Sequence, residues 1–204
     1  MKKLPSLAAL AAATALLAGC GIIQESPGPS DGAEPEPTQT TASPIADPSD
    51  DYQSLRVNMV AQSGTYFSNG IEGVKFGCSD TLVTINTVPI RAEDTQEHVQ
   101  AAIQFLLDDS QYYHGDPAVT NSLTLSETLE LDGVEVNRNS VEIALSGDVV
   151  VQSQCEAHRI QAQLYGTAAS TSEIQDISIT VNGDELNTVL GLEPFDTAQV
   201  VSND

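Results

Sequence analysis

Two apolar periodicities alternate along residues 73–192, and their order limits the fold more than any other feature of this chain. A period of two residues predicts strands, whereas a period of about 3.6 residues predicts helices. Strands are predicted at 73–78, 81–88, 129–136, 141–145 and 177–181, and helices at 94–109 and 154–169. The order is therefore β-α-β-β-α-β with an extra hairpin at each end. It predicts an α+β fold, namely a single split βαβ sheet that carries two helices on one face.

Each predicted helix begins with a residue pair typical of a capping box. Asp94 is followed three residues later by Glu97, and Ser153 is followed at the same spacing by Glu156. The apolar stripes that we expect to be buried are Val99, Ala102, Ile103, Leu106 and Leu107 in the first helix, and Ala157, Ile160, Leu164, Tyr165 and Ala168 in the second. These stripes predict that both helices pack on the sheet.

The end of this region carries a strong hairpin signal at Asn182-Gly183, because a type I′ turn needs two residues that tolerate positive φ angles. The signal predicts an edge strand at 185–190, and an unpaired edge can accept a strand from a partner. The residues of this candidate interaction edge are Glu185, Leu186, Val189 and Leu190. Residues 193–204 are predicted to form a frayed tail.

The N-terminus has the three parts of a secretory signal peptide. Lys2 and Lys3 precede an apolar run that ends at Leu17, and small residues follow before Cys20. The run is shorter than the roughly 20 apolar residues that a transmembrane helix needs. We therefore expect export, with residues 1–19 removed.

The junction Leu17-Ala18-Gly19-Cys20 resembles the lipobox of bacterial lipoproteins. The resemblance implies that Cys20 becomes the mature N-terminus and carries acyl chains such as palmitate. Several acyl chains hold a protein firmly on a membrane, so the expected location is the extracytoplasmic face of the cell membrane. The alternative is an ordinary signal peptide with a coincidental cysteine.

The chain changes character twice after this junction. Residues 20–51 are rich in proline, serine, threonine and acidic residues and contain no aromatic residue. Such a composition cannot bury enough apolar surface to fold, so we expect a disordered, lipid-anchored linker. Residues 52–72 are more apolar, and this transitional segment is expected to form a short strand or helix that packs on the domain.

The charge of the expected mature chain excludes one class of partner. Removal of residues 1–19 takes two of the seven basic residues, so five remain beside 29 acidic ones, a net charge of 5 − 29 = −24. These five are scattered along the sequence, which leaves no basic face to bind nucleic acid. The acidic surface is expected to favour solubility and to attract neutral or basic partners.

Cysteine parity predicts one disulfide. With Cys20 assigned to lipid, Cys78 and Cys155 remain in a compartment where disulfides persist. In a split βαβ sheet the end of the first strand lies beside the start of the second helix, so a bridge there is geometrically reasonable. A zinc site is a poorer alternative, since it needs two further ligands and no C-x-x-C or H-x-x-x-H spacing is present.

The densest group of polar and aromatic side chains follows the first predicted helix. The candidate binding loop consists of Asp109, Tyr112, Tyr113, His114 and Asp116. Such a loop could hold a calcium ion or stack a sugar ring, although it lacks the D-x-D-x-D-G spacing of an EF-hand. The alternative is a solvated loop whose carboxylates follow a helix end and whose tyrosines pack back on the sheet.

Motifs of catalysis and cofactor binding are missing from the sequence. It contains no G-x-S-x-G, G-x-x-x-x-G-K-[ST], G-x-G-x-x-G or H-E-x-x-H pattern. His98, His114 and His158 are dispersed over two predicted helices and a loop. We therefore expect no catalytic residue, no metal and no cofactor.

Four segments carry a family resemblance through their order and spacing. They are the hairpin at 74–89, the helix at 100–107, the hairpin at 129–147 with its Asp132-Gly133-Val134 and Leu145-Ser146-Gly147, and residues 160–183, which close in Ile179-Thr-Val-Asn-Gly183. Together they resemble a single GerM-type (GerMN) domain of sporulation and germination proteins, over residues 73–192. One departure is Asp108-Asp109-Ser110, where the family often has Gly-Pro.

The resemblance implies an envelope lipoprotein that scaffolds or binds and has no established catalytic residues. The first expectation is accordingly a lipid-anchored, non-catalytic adaptor that binds an envelope protein or a cell-wall component. The alternative is a substrate-binding lipoprotein for a small or carbohydrate ligand, and an envelope hydrolase comes third. An exposed apolar patch on the open sheet face would favour the adaptor, whereas a deep polar pocket would favour the ligand-binding protein.

Overall fold

The computed structural model describes residues 52–64 and 71–201. The predicted signal peptide at 1–19, the linker at 20–51 and the lipidation site Cys20 lie outside the described residues. Within the described ranges, none of the helices combines the length and apolarity needed to cross a membrane.

The described residues form strands and helices that confirm the predicted α+β class. The strands are β1 Tyr52–Ala61, β2 Val74–Phe76, β3 Asp80–Arg91, β4 Tyr113–His114, β5 Val119–Thr120, β6 Glu130–Val136, β7 Ser140–Ser146, β8 Asp176–Val181 and β9 Asp184–Glu185. The helices are α1 Thr95–Asp108, α2 Gln154–Ser172, α3 Leu186–Leu190 and α4 Ala198–Val201.

The strands lie in two sheets rather than in the single split βαβ sheet that the sequence predicts. The first sheet has the order β2-β3-β1-β5-β4, and the second has the order β6-β7-β8-β9. In the second sheet, β7 and β8 are parallel neighbours connected through α2. In a split βαβ sheet, β3 would lie between β7 and β8. This arrangement is excluded because β2 and β1 already pair with the two sides of β3.

The central strand of the first sheet comes from the segment that the sequence left as transitional. β1 pairs with β3 along its whole length, and its residues Val57, Met59 and Val60 are completely buried. Residues 52–61 are therefore part of the folded domain. The region predicted as a loop after α1 also contributes, since the β4–β5 hairpin joins this sheet through the pair Val60↔Thr120.

The strand predicted at 81–88 stops before Pro89, but this proline lies inside β3. It stands opposite Ser54, where the register between β1 and β3 shifts between Ser54 and Arg56. Proline cannot donate a ladder hydrogen bond, and such irregular positions tolerate it. The strand therefore continues to Arg91.

Both predicted helix starts are confirmed. The side chain of Asp94 accepts a hydrogen bond from the backbone N–H of Glu97, and Ser153 does the same for Glu156. The predicted stripes are buried except for Leu107, which is partly buried. The capping residues and the apolar period were sufficient here because both are local signals.

Helix α2 is buried on more sides than its apolar stripe predicts. Thirteen of its 19 residues are buried, because it packs against β1 and α1 and also contacts β8, α3 and α4. A Cβ atom added at Gly166 would lie 2.6 Å from a methyl carbon of Leu82. Glycine at this position therefore lets the helix approach the first sheet closely.

The predicted edge strand at 185–190 is wrong. Asn182 and Gly183 form the expected turn with φ angles of 53° and 89°, but β9 holds only Asp184 and Glu185, and Leu186–Leu190 is the helix α3. The physical reason is packing, since helical geometry buries Leu186 completely against α2 and leaves Val189 exposed. The proposed interaction edge of Glu185, Leu186, Val189 and Leu190 therefore does not exist as a strand.

The predicted frayed tail is ordered as far as Val201. The ring of Phe195 lies 6.2 Å from that of Tyr165, the hydroxyl of Thr197 donates to the carbonyl of Gln175, and Val200 is buried. Burial raises the pKa of Tyr165 above its ordinary value of 10.0, and the nearby carboxylate of Glu185 raises it further. Tyr165 is thus a neutral phenol that anchors this segment at neutral pH.

Candidate functional site

A stripe of five side chains on α2 joins the helix to the first sheet. Its members, four residues apart, are Cys155, Arg159, Gln163, Thr167 and Thr171. Residues four apart share one face of a helix, and every member of this α2 stripe bonds to the first sheet or to the turn between β2 and β3. The stripe is therefore a seam made of covalent and polar contacts beside the apolar core.

The N-terminal end of the α2 stripe is covalent and ionic. Cys155 forms a disulfide with Cys78, with 5.6 Å between the two Cα atoms. One turn further, Arg159 Nε donates to Asp80 Oδ2 at 2.6 Å, and the carboxylate of Asp80 is 1% exposed. The other oxygen of Asp80 accepts from the backbone N–H of Ser63 at 2.6 Å. The expected disulfide is thus present, and it stands next to a buried ion pair that the sequence analysis did not anticipate.

The C-terminal end of the α2 stripe bonds to the backbone of β1. Gln163 donates to the carbonyl of Asn58 at 3.2 Å, Thr167 accepts from the N–H of Asn58 at 2.9 Å, and Thr171 donates to the carbonyl of Arg56 at 2.8 Å. Buried backbone groups need such partners. Side chains of α2 therefore take the place of a neighbouring strand along this part of β1.

The candidate binding loop contains a partly buried clasp. His114 Nε2 lies 2.7 Å from Asp109 Oδ2 and 2.9 Å from the carbonyl oxygen of Gln111. Both neighbours are acceptors, so Nε2 carries the proton. Asp109 also accepts from the side chain of Asn121 at 3.2 Å and from the backbone N–H of Gln111 at 3.0 Å. The amide oxygen of Asn121 lies 3.4 Å from Gln163 Nε2, which links the clasp to the α2 stripe.

The remaining residues of the predicted loop do not converge with this clasp. Tyr112 accepts a hydrogen bond from the side chain of Gln62, and its ring meets that of Tyr113 edge to face at 4.7 Å. Tyr113 is 64% exposed, and Asp116 is exposed as well. Asp109 and His114 thus form a structural contact within the protein, whereas Tyr113 is exposed to solvent.

We expect Asp109→Ala to lower the free energy of unfolding by about 1–3 kcal/mol, because it removes a partly buried carboxylate that accepts from His114, Asn121 and the backbone N–H of Gln111. Asp116→Ala removes the same group from the exposed part of the loop and should change it by less than about 0.5 kcal/mol. Chemical denaturation of the two variants measures the difference. Equal values for both would contradict a structural role for Asp109.

Two cavities in the described part of the chain offer concave surfaces for a ligand. One, of about 380 Å³, lies between β2, the start of α2 and residues 191–199, and is lined by Lys75, Phe76, His158, Glu193, Phe195 and others. The second, of about 350 Å³, lies on the outer face of the second sheet around Gly133 and Ala144. In the part of the chain that is described, no group of three or more His, Cys, Asp or Glu residues is arranged to hold a metal ion.

The open face of the second sheet lacks the apolar patch that would have favoured an adaptor. Its outward residues are small or acidic. Within the described ranges, the large apolar side chains that are exposed are spread over several elements: Tyr52, Val88, Phe105, Tyr113, Leu125, Val150, Val151 and Val189. Single exposed apolar side chains are ordinary on protein surfaces.

Sequence reasoning missed the polar members of the α2 stripe. The available signal was the spacing of four residues from Cys155 through Arg159, Gln163 and Thr167 to Thr171. It was overlooked because polar residues on a predicted helix are ordinarily assigned to solvent. The four-residue spacing that starts at Cys155 is the sequence signal that identifies them.

The family model Germane, described as sporulation and spore germination, matches residues 65–187, which is more than half of the 204 residues. No match was found among curated proteins or among solved structures. The matched range begins after β1 and includes the second sheet, the other strands of the first sheet and all of α1 and α2. The resemblance to a GerM-type domain is thus confirmed, and the chain belongs to the Germane family of sporulation and spore germination.

Proposed function

We propose that this chain is a lipid-anchored, non-catalytic adaptor on the extracytoplasmic face of the cell envelope, acting in sporulation or spore germination. The observation that carries the proposal is the use of buried and partly buried acids and bases as structural contacts. Asp80 is bound by Arg159, Asp109 is bound by His114, and Glu156 accepts from the backbone at the start of α2. The family assignment points to the same biological setting.

These contacts argue against acid–base catalysis by the groups concerned. A general acid or base must be able to reach a substrate and exchange a proton with it. Asp80 is 1% exposed and already accepts two hydrogen bonds. The carboxylate of Asp109 accepts hydrogen bonds from three neighbouring groups. Protonation or movement of either carboxylate would break contacts within the fold, so the geometry favours a structural role for both.

The N-terminal sequence supports the anchoring part of the proposal. Cys20 follows a short apolar run and small residues, and residues 20–51 contain prolines and acids with no aromatic residue. A flexible chain of this length has a root-mean-square span of about 30 Å and reaches about 90 Å when fully extended. Such a tether would let the domain meet a partner at some distance from the membrane surface.

The test is made in a strain that lacks the native gene. It compares a variant without the lipidation site with a variant without the acid and imidazole of the loop. The full chain should partition into the detergent phase of a phase separation and restore the phenotype of the deletion. Cys20→Ala should lose both properties. Asp109→Asn with His114→Gln, if folded by circular dichroism, should partition as the native chain does and restore the phenotype.

Two outcomes would count against the adaptor. Turnover of a cell-wall glycan by the purified chain, abolished by Asp109→Asn, would assign it to a hydrolase. Binding of a glycan fragment in the cavity between Phe76 and Phe195, abolished by Phe195→Ala, would favour the ligand-binding alternative, for which that cavity is the supporting observation. Aqueous partitioning of the native chain would contradict the lipid anchor.

A further inference from the structure

The second sheet has one packed face and one open face. Along β7, Val141, Ile143 and Leu145 are buried in the core, while Glu142 and Ala144 between them are exposed. Successive residues of a strand point to opposite faces, so the exposed set defines the outer face. Glu135, Glu142 and Ala144 on this outer face are exposed.

The strand register places two glutamates side by side on this face. Glu135 of β6 is directly opposite Glu142 of β7, and Glu142 is in register with Ser178 of β8. Residues directly opposite in a sheet have Cβ atoms about 5 Å apart, and like charges in that position are destabilising. In the described part of the chain, neither glutamate forms an ion pair. The isolated domain therefore carries an unfavourable pair of charges on its sheet.

The next row of the same face consists of small residues and forms a concave floor. Gly133 is in register with Ala144, and Ala144 with Thr180. This floor and the two glutamates line the cavity of about 350 Å³, with Asp132 at its rim. Glu185 lies opposite Thr180 and accepts from the hydroxyl of Ser178. The face is thus a shallow groove with a short-chain floor and acidic borders.

The charge of this chain limits what can occupy the groove. Residues 20–51 contain acidic residues and no lysine or arginine, so the chain's own linker would be repelled. A second copy of a chain with a formal charge of −22 would be repelled as well. A calcium ion takes about six to eight oxygen ligands, and no three-ligand group is present among the described residues.

We propose that the outer face of the second sheet, centred on Glu135, Glu142 and the floor of Gly133 and Ala144, binds an arginine- or lysine-rich segment of a partner protein. The proposal rests on the adaptor function and names the chemistry of its partner. The guanidinium of an arginine presents a planar fork that matches carboxylates, and its aliphatic stem can lie on the small residues of the floor. Binding relieves the repulsion between the two glutamates.

Fluorescence anisotropy of a labelled hexa-arginine peptide against the purified full chain in a non-ionic detergent tests this at low salt. The face variant is Glu135→Gln with Glu142→Gln. The matched control is Glu72→Gln with Glu193→Gln, which removes two exposed carboxylates elsewhere. Two lost ion pairs should weaken binding about tenfold, whereas the control should change it by less than about twofold.

Thermal unfolding without peptide supplies a second readout. The face variant should melt at a higher temperature than the native chain because the repulsion is gone, and the control should not. Equal loss of peptide binding in both variants, or no binding by the native chain, would overturn the proposal. Displacement of the peptide by calcium chloride alone would assign the face to a cation instead. The Cys20→Ala assay measures anchoring and does not depend on peptide binding. Failure of the lipid-anchored adaptor and failure of the peptide-binding face are therefore distinguished.

Discussion

Arg159→Met is expected to lower the free energy of unfolding by about 3 kcal/mol, because it leaves the carboxylate of Asp80 buried without its cation. Asp80 is 1% exposed, so water cannot replace the lost guanidinium. Methionine keeps most of the aliphatic stem, which confines the change to the charge and the hydrogen bond. Urea denaturation of the purified protein measures the loss.

The matched control is the ion pair between Arg56 and Glu173, whose carboxylate is 71% exposed. Glu173→Gln should cost less than about 1 kcal/mol, since exposed ion pairs contribute little. Adding Asp80→Asn to Arg159→Met should restore part of the stability by removing the buried charge. A loss as small as that of Glu173→Gln would show that Asp80 is not effectively buried in solution.

Replacement of both bridging cysteines, as Cys78→Ala with Cys155→Ala, should lower the free energy of unfolding by about 4 kcal/mol in the chain-entropy account. The large value follows from the 77 residues that separate the two cysteines. Denaturant unfolding under non-reducing conditions measures the loss. In the native chain both thiols should resist alkylation until a reductant is added. Two freely reacting thiols in the unreduced protein would contradict the bridge.

The two losses should not simply add. Cys155 and Arg159 are one helical turn apart, and their partners Cys78 and Asp80 are two residues apart. Mutations that share neighbours commonly show coupling. The triple variant should therefore depart measurably from the sum, and a strictly additive result would mean that the two contacts hold the seam independently.

Much of the local structure followed from the sequence because its causes are local. The caps at Asp94 and Ser153 and the turn at Asn182-Gly183 depend on residues within a few positions of one another. The disulfide partners followed from parity, since export and lipidation left two cysteines. The argument from a split sheet was not the reason they meet. Cys78 reaches Cys155 because α2 packs along the first sheet.

The candidate site was less accessible to sequence reasoning. Asp109 and His114 were predicted as two of the five residues of a candidate binding loop, and their side chains do meet, but Asp109 accepts from His114 and from Asn121 within the protein. The sequence identifies these residues, but it does not show how far each side chain is buried. Whether a carboxylate faces solvent or a neighbouring amide depends on the hairpin β4–β5 folding back on β1, which is a contact between distant segments.

The sequence by itself determined the type of most elements, their capping residues and the pair of cysteines. The tertiary structure alone decided that the strands divide into two sheets, that Leu186–Leu190 is helical, and that polar residues of α2 bond to β1. The physical reason is competition for partners. β1 pairs with β3 across about thirty residues of chain and thereby removes the edge that a split sheet would use. The apolar periodicity within β1 or β3 does not show with which other strand each of them pairs.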